Sequence, residues 1–529
     1  MRSSPRARLL SLAALALLLP APGRAQDPRP VPTASSAAAP RVLSLEDAVR
    51  LAESQSEQLQ IARAGVTRAS GQQMQARSQY LPQLNGTGSY QRTLRTQFSA
   101  LAGGGGQDSS GTPTGPTLDP VCAPNIPAGA TPAERAAALA QAESCASNSP
   151  LGGIDFSKVG FGARDAWVFG LNFSQNLFSG GRVAGNNAAA SAGRRAAEVE
   201  VSAQRAQLVL DVAQAYYNAA LAQRLVALAD STLVQTEEVL RQTQVARKVG
   251  SQSEFELLRA QVTRDNARPV VIQRRGDRDV ALLRLKQLLN LPFEEPVVLT
   301  TDIDQPVQAD AVVPAAYAGR LDPAAAADTT TDHRAPVRQA SEAVRAQEGL
   351  LRAARGERWP ALQLVSSYQR LFYPTSAFPS WSDFRENWTV GAQMSVPLFT
   401  GGRLRGTELV ARGNLDEARA RFELARELAS LDTRVAINQL QQAQSAWDAS
   451  AGVVEQAQKA YRIDQIRFRE GISTQTDLLQ SRILLEQATA NRAVAARDLA
   501  VARIRLALIR DLPLQLGAAQ GGGAAGGSG

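Results

Sequence analysis

The sequence predicts an α+β membrane protein built from two like halves, each carrying a pair of membrane-length strands and a hairpin of very long helices. Three observations predict it. Trp167 to Arg182 reads WVFGLNFSQNLFSGGR and Trp388 to Arg403 reads WTVGAQMSVPLFTGGR, a repeat at a constant offset of 221 in the numbering. Before each double glycine the side chains alternate with period two, and after it they follow a helical period for many turns.

The composition fits long helices. Of 529 residues, 44% are apolar and only 5% aromatic, and Ala, Gln, Arg and Leu are abundant, the balance of helices that bury narrow stripes of small side chains. The net charge of +8 comes from arginines interleaved with glutamates along helices. No basic block with aromatic interleaving is present, so nucleic acid is not an expected partner.

In chain order, Arg2, Arg6 and Arg8 precede an apolar run from Leu9 to Leu19, and Gly23-Arg24-Ala25 follows. That layout predicts a signal peptide over residues 1–25, cleaved after Ala25, with a linker over 26–42. No cysteine lies close behind, so no lipid anchor is expected, and past residue 25 no apolar run reaches the roughly 18 residues of a membrane helix.

The first repeat is expected over 43–289. Helices at 44–79 give way at Leu81-Pro82, where proline disfavours further helix, to a strand over about 81–96. The next strand, about 166–178, places Trp167, Phe169, Leu171 and Phe173 on one side and Gly170, Asn172 and Ser174 on the other. About ten alternating residues suit a tilted membrane strand, and the opening Trp suits an interfacial girdle. Between the two strands lies a Gly-, Pro- and Ser-rich insertion, 97–165, read as an extracellular loop. Gly180 and Gly181 turn strand into helix. Leu208, Val212, Ala215, Ala219, Ala222 and Val226 then mark a helical hairpin over 182–289, whose first arm is about 100 Å long at 1.5 Å per residue. Gly250 ends that arm, and Pro269 predicts a kink in the return helix.

Residues 290–334, rich in proline and aspartate, form an equatorial segment. The second repeat, 335–512, brings a helix at 335–358, strands at about 360–374 and 386–398, turn glycines Gly401 and Gly402, and a hairpin over 403–511 that reverses at Gly471. The LPQL at Leu81 and the WPAL at Trp359 correspond at an offset of 278, larger than the later one because of the insertion. Residues 513–529 read as a disordered Gly/Ala tail.

The LPQL, the paired LF-[ST]-GGR blocks and the two hairpin tips resemble the TolC family of outer-membrane efflux proteins, from about Leu43 to Leu512. The resemblance implies a homotrimer in which each copy gives four strands to a twelve-stranded outer-membrane β-barrel, continuous with a periplasmic α-helical coiled-coil barrel and a mixed equatorial domain. The strand count agrees, since four strands cannot close in lipid without unsatisfied edges. The implied function is the exit duct of a tripartite efflux pump or type I secretion system. Its implied partners are a periplasmic adaptor (membrane fusion) protein, an inner-membrane transporter of RND, ABC or MFS type, and outer-membrane lipid. A non-conducting coiled-coil tether is the alternative, disfavoured because a tether needs no apolar-faced strands.

The resemblance also places sites. Asp477 matches the family's first aperture acid, Gln480 stands where a second is often found, and Glu256 is the corresponding acid of the first tip; the alternative, an acid that interacts with its helix dipole, weighs as much as gating for Glu256 and less for Asp477. Gly250, Ser251, Gly471, Ile472, Ser473 and Thr474 fall where family members meet the adaptor, and they are also good turn formers. Cys122 and Cys145, the only cysteines, are read as a disulfide in an oxidising compartment, contributing about 3 kcal/mol, against two free thiols in a loop. No metal or cofactor is expected. With His333 alone, on the surface, and no P-loop, the usual catalytic constellations are missing. The run Gly103 to Gly106 has no phosphate-binding helix behind it.

Overall fold

A computed structural model describes residues 40–94, 122–148, 165–303, 331–373 and 384–514. The expected signal peptide and most of the Gly/Ala tail lie outside these residues. Two long hairpins form the body: α4 (Arg182–Lys248) with α5 (Glu254–Leu288), and α7 (Arg403–Arg469) with α8 (Gln475–Leu508). Both outgoing helices have 67 residues, about 100 Å at 1.5 Å per residue. Each starts after a left-handed glycine, Gly181 (φ 93°) or Gly402 (φ 87°), preceded by another, Gly180 or Gly401. That backbone is strained for any residue with a Cβ.

Two shorter helices lie beside the hairpins at their strand-proximal end, α2 (Glu57–Ser78) against α4, and α6 (Ala335–Gly356) between α4 and α7. The α4–α6 crossing is close because glycines meet there: a Cβ built on Gly185 would lie 2.5 Å from the Gly349 carbonyl oxygen. Midway along the hairpins, β1 (Arg41–Leu43) pairs in parallel with β4 (Val297–Leu299). These two strands and α1 (Leu45–Gln55) cover the main core, in which Tyr216, Tyr217, Leu285, Leu289, Ile504 and Leu508 are fully or almost fully buried. The Tyr216 hydroxyl reaches the Leu43 carbonyl at 3.1 Å, so the strand pair is fastened as well as packed.

One antiparallel sheet runs in the order β2 (Gln83–Arg92), β3 (Asp165–Phe178), β5 (Ala361–Phe372), β6 (Arg385–Ser395). Its outer strands, β2 and β6, have no partner on their free edges among the described residues.

The helices expected over 44–79 are two that meet at Ser56, whose hydroxyl caps α2 by accepting from the Leu59 amide at 3.3 Å. Two details differ from expectation. The inserted segment holds a helix, α3 (Pro132–Asn148). Its Ala-rich sequence has high helix propensity, and Thr131 and Glu134 form a capping box, with the Thr131 amide 2.8 Å from Glu134 Oε2. Strand β6 ends at Ser395, three residues early, because Pro397 has no N–H for a ladder. Helix α5 contains Pro269 within its run, the position at which a kink is expected.

Candidate functional site

The strand register sorts the sheet into two chemically distinct faces, since residues directly opposite one another share a face. Phe173 faces Leu84 and Ser366; Leu171 faces Gly86 and Tyr368; Trp167 faces Tyr90 and Phe372; Trp388, Val390, Ala392 and Met394 continue this side on β6. The opposite side carries Asn85, Asn172, Ser367 and Thr389 in one row, and Thr87, Gly170, Gln369 and Asn387 in the next. Its polar groups bond to each other: the Ser367 hydroxyl lies 3.0 Å from Asn172 Oδ1, and Gln363 donates to Asn176 at 2.8 Å. An apolar face and a polar face with hydrogen bonds between its strands, alternating over four strands, are the pattern of a wall between hydrocarbon and water.

At the end of the apolar face farthest from the helices, aromatic rings gather. Tyr90 and Trp167 have centroids 4.7 Å apart, and Tyr368 and Trp388 meet edge to face at 6.4 Å. Charges stand next to them: Arg92 pairs with Asp165 at 3.8 Å beyond Tyr90 and Trp167, and Arg370 pairs with Glu386 beyond Tyr368 and Trp388, level with Phe169. Aromatic rings followed by ion pairs suit the boundary where lipid tails end. Beyond this boundary lies the inserted segment, where a disulfide joins Cys122 and Cys145, their Cα atoms 5.6 Å apart.

The other end of the molecule is the pair of hairpin tips. Gly250 (φ 81°) and Gly471 (φ 72°) follow α4 and α7. The amide after each closes the helix end, Ser251 to the Ala246 carbonyl at 2.9 Å and Ile472 to the Arg467 carbonyl at 2.8 Å. These are glycine-terminated C-caps of the Schellman type. Ile472 and Gly471 are exposed and Ser473 half-exposed.

Each return helix opens on a hydroxyl cap. Ser253 accepts from the Glu256 amide at 3.3 Å. Thr474 and Asp477 form a full capping box: the Asp477 amide donates to the Thr474 hydroxyl at 3.3 Å, and the Thr474 amide and hydroxyl reach Asp477 Oδ2 at 3.0 and 2.7 Å. The Thr474 hydroxyl, then its amide, then nearby Arg467 hold the Asp477 carboxyl below the usual aspartate range. Asp477 is therefore a charged, solvent-exposed group whose orientation is set by Thr474. Gln480, also exposed, lies one turn further along the same helix face.

The two tips touch each other. Arg259 donates to the Thr476 hydroxyl at 2.6 Å while lying 5.3 Å from the Phe255 ring centre. The Gln475 amide, turned so that its nitrogen faces the acid, donates to the Glu256 carboxylate at 2.6 Å. Further from the tips, Tyr461 meets Gln235 at 3.4 Å, Thr232 bonds Glu486, and buried Arg482 lies 3.5 Å from Glu486. Burial pushes the Tyr461 phenol up. Glu256 thus sits in the contact between hairpins, whereas Asp477 stands free of it. Sequence reasoning missed Arg259, Gln475 and the Tyr461 layer, whose partners lie more than two hundred residues away along the chain.

Among the described residues no helix is long and apolar enough to cross a membrane, and no group of three or more His, Cys, Asp or Glu could hold a metal ion.

Comparison with known proteins agrees with this architecture. The family described as "Outer membrane efflux protein" matches residues 133–291 and 327–509. Nodulation protein T of Rhizobium leguminosarum bv. viciae is 22% identical over 317 residues, 59% of this chain and 62% of that protein. The toluene efflux pump outer membrane protein TtgF of Pseudomonas putida is 27% identical over 295 residues, 54% of this chain and 56% of TtgF. The chain therefore spans somewhat less than two thirds of these relatives. Among solved structures, the Campylobacter jejuni CmeC outer membrane channel superposes with a TM-score of 0.64 over 89% of this chain and 86% of CmeC, at 16% identity. At that identity the likeness concerns the fold.

Proposed function

The chain belongs to the outer membrane efflux protein family, and from that premise we propose that it is the outer-membrane exit duct of a tripartite efflux pump or type I secretion system. Three copies pool their four-stranded sheets into a twelve-stranded barrel, polar face inward. The hairpins continue it as a helical barrel in the periplasm. The observation that carries the reading is the two-faced sheet with unpaired edges. Its apolar face needs lipid, its polar face needs water, and its edges would each leave backbone groups unsatisfied in hydrocarbon at several kcal/mol.

Conduction is passive, and an inner-membrane transporter of RND, ABC or MFS type supplies the work. A periplasmic adaptor engages the tips at Gly250, Ser251, Gly471, Ile472, Ser473 and Thr474, where small residues allow close approach. Asp477, one per copy, rings the periplasmic aperture with Gln480 beside it, and three charges around one axis hold cations. Glu256, bonded to Gln475, contributes to the closed arrangement of the tips instead of to the ring.

Planar-bilayer recordings test both levels. Purified protein is expected to show discrete conductance steps that divalent cations block from the helical side. Asp477→Asn is expected to raise the half-blocking concentration several-fold. Because Thr474 and Arg467 hold the Asp477 pKa down, wild-type block should persist through mildly acidic pH and fade only below the ordinary aspartate range. Unchanged block in Asp477→Asn removes the aperture assignment. An absence of steps favours a non-conducting coiled-coil tether.

A further inference from the structure

We propose that four arginines recurring in the two repeats, Arg77, Arg182, Arg355 and Arg403, form a belt that binds anionic phospholipid headgroups of the periplasmic leaflet. The proposal rests on the duct reading, which sets the sheet in a bilayer, and goes further by naming a lipid class and the residues that hold it.

Position defines the belt. Adding 278 to Arg77 gives Arg355, and adding 221 to Arg182 gives Arg403, the two offsets that relate the repeats. Each arginine stands four residues from an exposed apolar residue beside the helical end of its strand: Leu81 for Arg77, Phe178 for Arg182, Trp359 for Arg355 and Phe399 for Arg403. Four helical residues span about 6 Å, and the headgroup layer on each side of the hydrocarbon is about 5–8 Å deep. The arginines thus lie at headgroup depth, on side chains long enough to reach along it. Tyr80, whose amide bonds the Arg77 carbonyl at 3.0 Å, and Trp359 add exposed rings of the kind that mark a membrane boundary.

Charge at this level is unbalanced. Over residues 71–80, 179–188, 350–359 and 400–409 arginine occurs seven times and acids only twice, a net charge of +5 per copy. Arg355 and Arg358 share Glu408 at 3.2 and 2.5 Å, and Arg403 pairs with Glu357 at 3.1 Å. Arg77 and Arg182 have no carboxylate within ion-pair distance among the described residues. At the outer boundary, by contrast, the apolar side matches each base with an acid, Arg92 with Asp165 and Arg370 with Glu386.

Helix electrostatics do not account for the excess. A cation suits the last turn of α2 or α6, where Arg77 and Arg355 lie. Arg182 and Arg403 instead occupy the first residue of α4 and α7, the positive end, with no acid in either first turn. A phosphate at that level compensates both the guanidinium groups and the helix ends that carry them.

Lipid retention tests the belt. Detergent-purified protein mixed with equal amounts of phosphatidylglycerol and phosphatidylcholine is expected to retain at least fivefold more of the anionic lipid by native mass spectrometry, with the ratio falling as salt rises. Combining Arg77→Gln, Arg182→Gln, Arg355→Gln and Arg403→Gln is expected to bring the ratio below twofold, whereas lysine at the same four positions should keep it. Arg92→Gln, at the outer boundary, should leave it unchanged. Equal retention of the two lipids by the wild type, or an undiminished preference in the glutamine variant, overturns the belt. Should the glutamine variant not assemble, the wild-type ratio and its fall with salt decide. Conductance steps in the same preparation keep the duct reading whatever the lipid result, and their absence together with a missing preference overturns both.

Discussion

Replacing Asp432 with asparagine is expected to cost about 3–5 kcal/mol of stability, the range for breaking a buried ion pair by removing one partner. The Asp432 side chain is 2% exposed and takes Arg334 at 2.7 Å on one oxygen and Arg505 at 3.0 Å on the other. Arg334, 6% exposed, also donates to the Ala429 carbonyl at 3.1 Å and the Thr433 hydroxyl at 3.0 Å. Three helices meet at this carboxylate: α7 supplies it, α8 supplies Arg505, and Arg334 is the residue from which α6 starts. Without the negative charge two guanidinium groups remain in a dry site with one amide between them. Denaturant midpoints in detergent, or inactivation half-lives where unfolding is irreversible, measure the loss.

Asp211, the counterpart of Asp432 in the first repeat, is the control. It has Gln207 as a partner at 2.7 Å, and burial pushes its pKa up against that bond. A carboxyl whose pKa is raised on folding is destabilising once ionised, so Asp211→Asn should lie within about 1 kcal/mol of wild type or above it. Equal losses at the two positions would contradict the ion-pair account.

A charge on the apolar face is expected to be nearly as damaging. Leu171 lies mid-strand in β3, opposite Gly86 and Tyr368, and Leu171→Arg should cost about 2–4 kcal/mol if that face meets the bilayer midplane. Asn172, the next residue, points to the other face, and Asn172→Arg should cost only about 1 kcal/mol for the lost Ser367 bond. Insertion yield and urea midpoints in vesicles separate the two. Equal effects would mean that the sheet does not divide lipid from water.

Much of this was legible in the sequence because it is local. Alternation places Leu171 and Asn172 on opposite faces from any two consecutive residues, and the double glycines announce a left-handed entry to α4 and α7. The fixed offset of the repeat made the second half readable from the first. Local signals were also passed over. Thr131 and Glu134 mark the start of α3, but glycine and proline on either side suggested a loop. Thr474 and Asp477 are likewise a cap signature, and only the structure shows the carboxylate that could line a pore already engaged by Thr474.

What could not be read is what the chain brings together from afar. Arg334 and Asp432 are 98 residues apart, and Arg259 and Thr476 are 217. Neither pair belongs to a pattern that one sequence displays. The second also joins the two repeats by a contact that neither half contains on its own.

Native mass spectrometry of detergent-extracted protein bears most directly on the claim that several copies share one barrel. Three chains per particle, retained as detergent is stripped in the gas phase, are expected. A single chain that stays dispersed in buffer without detergent would contradict it.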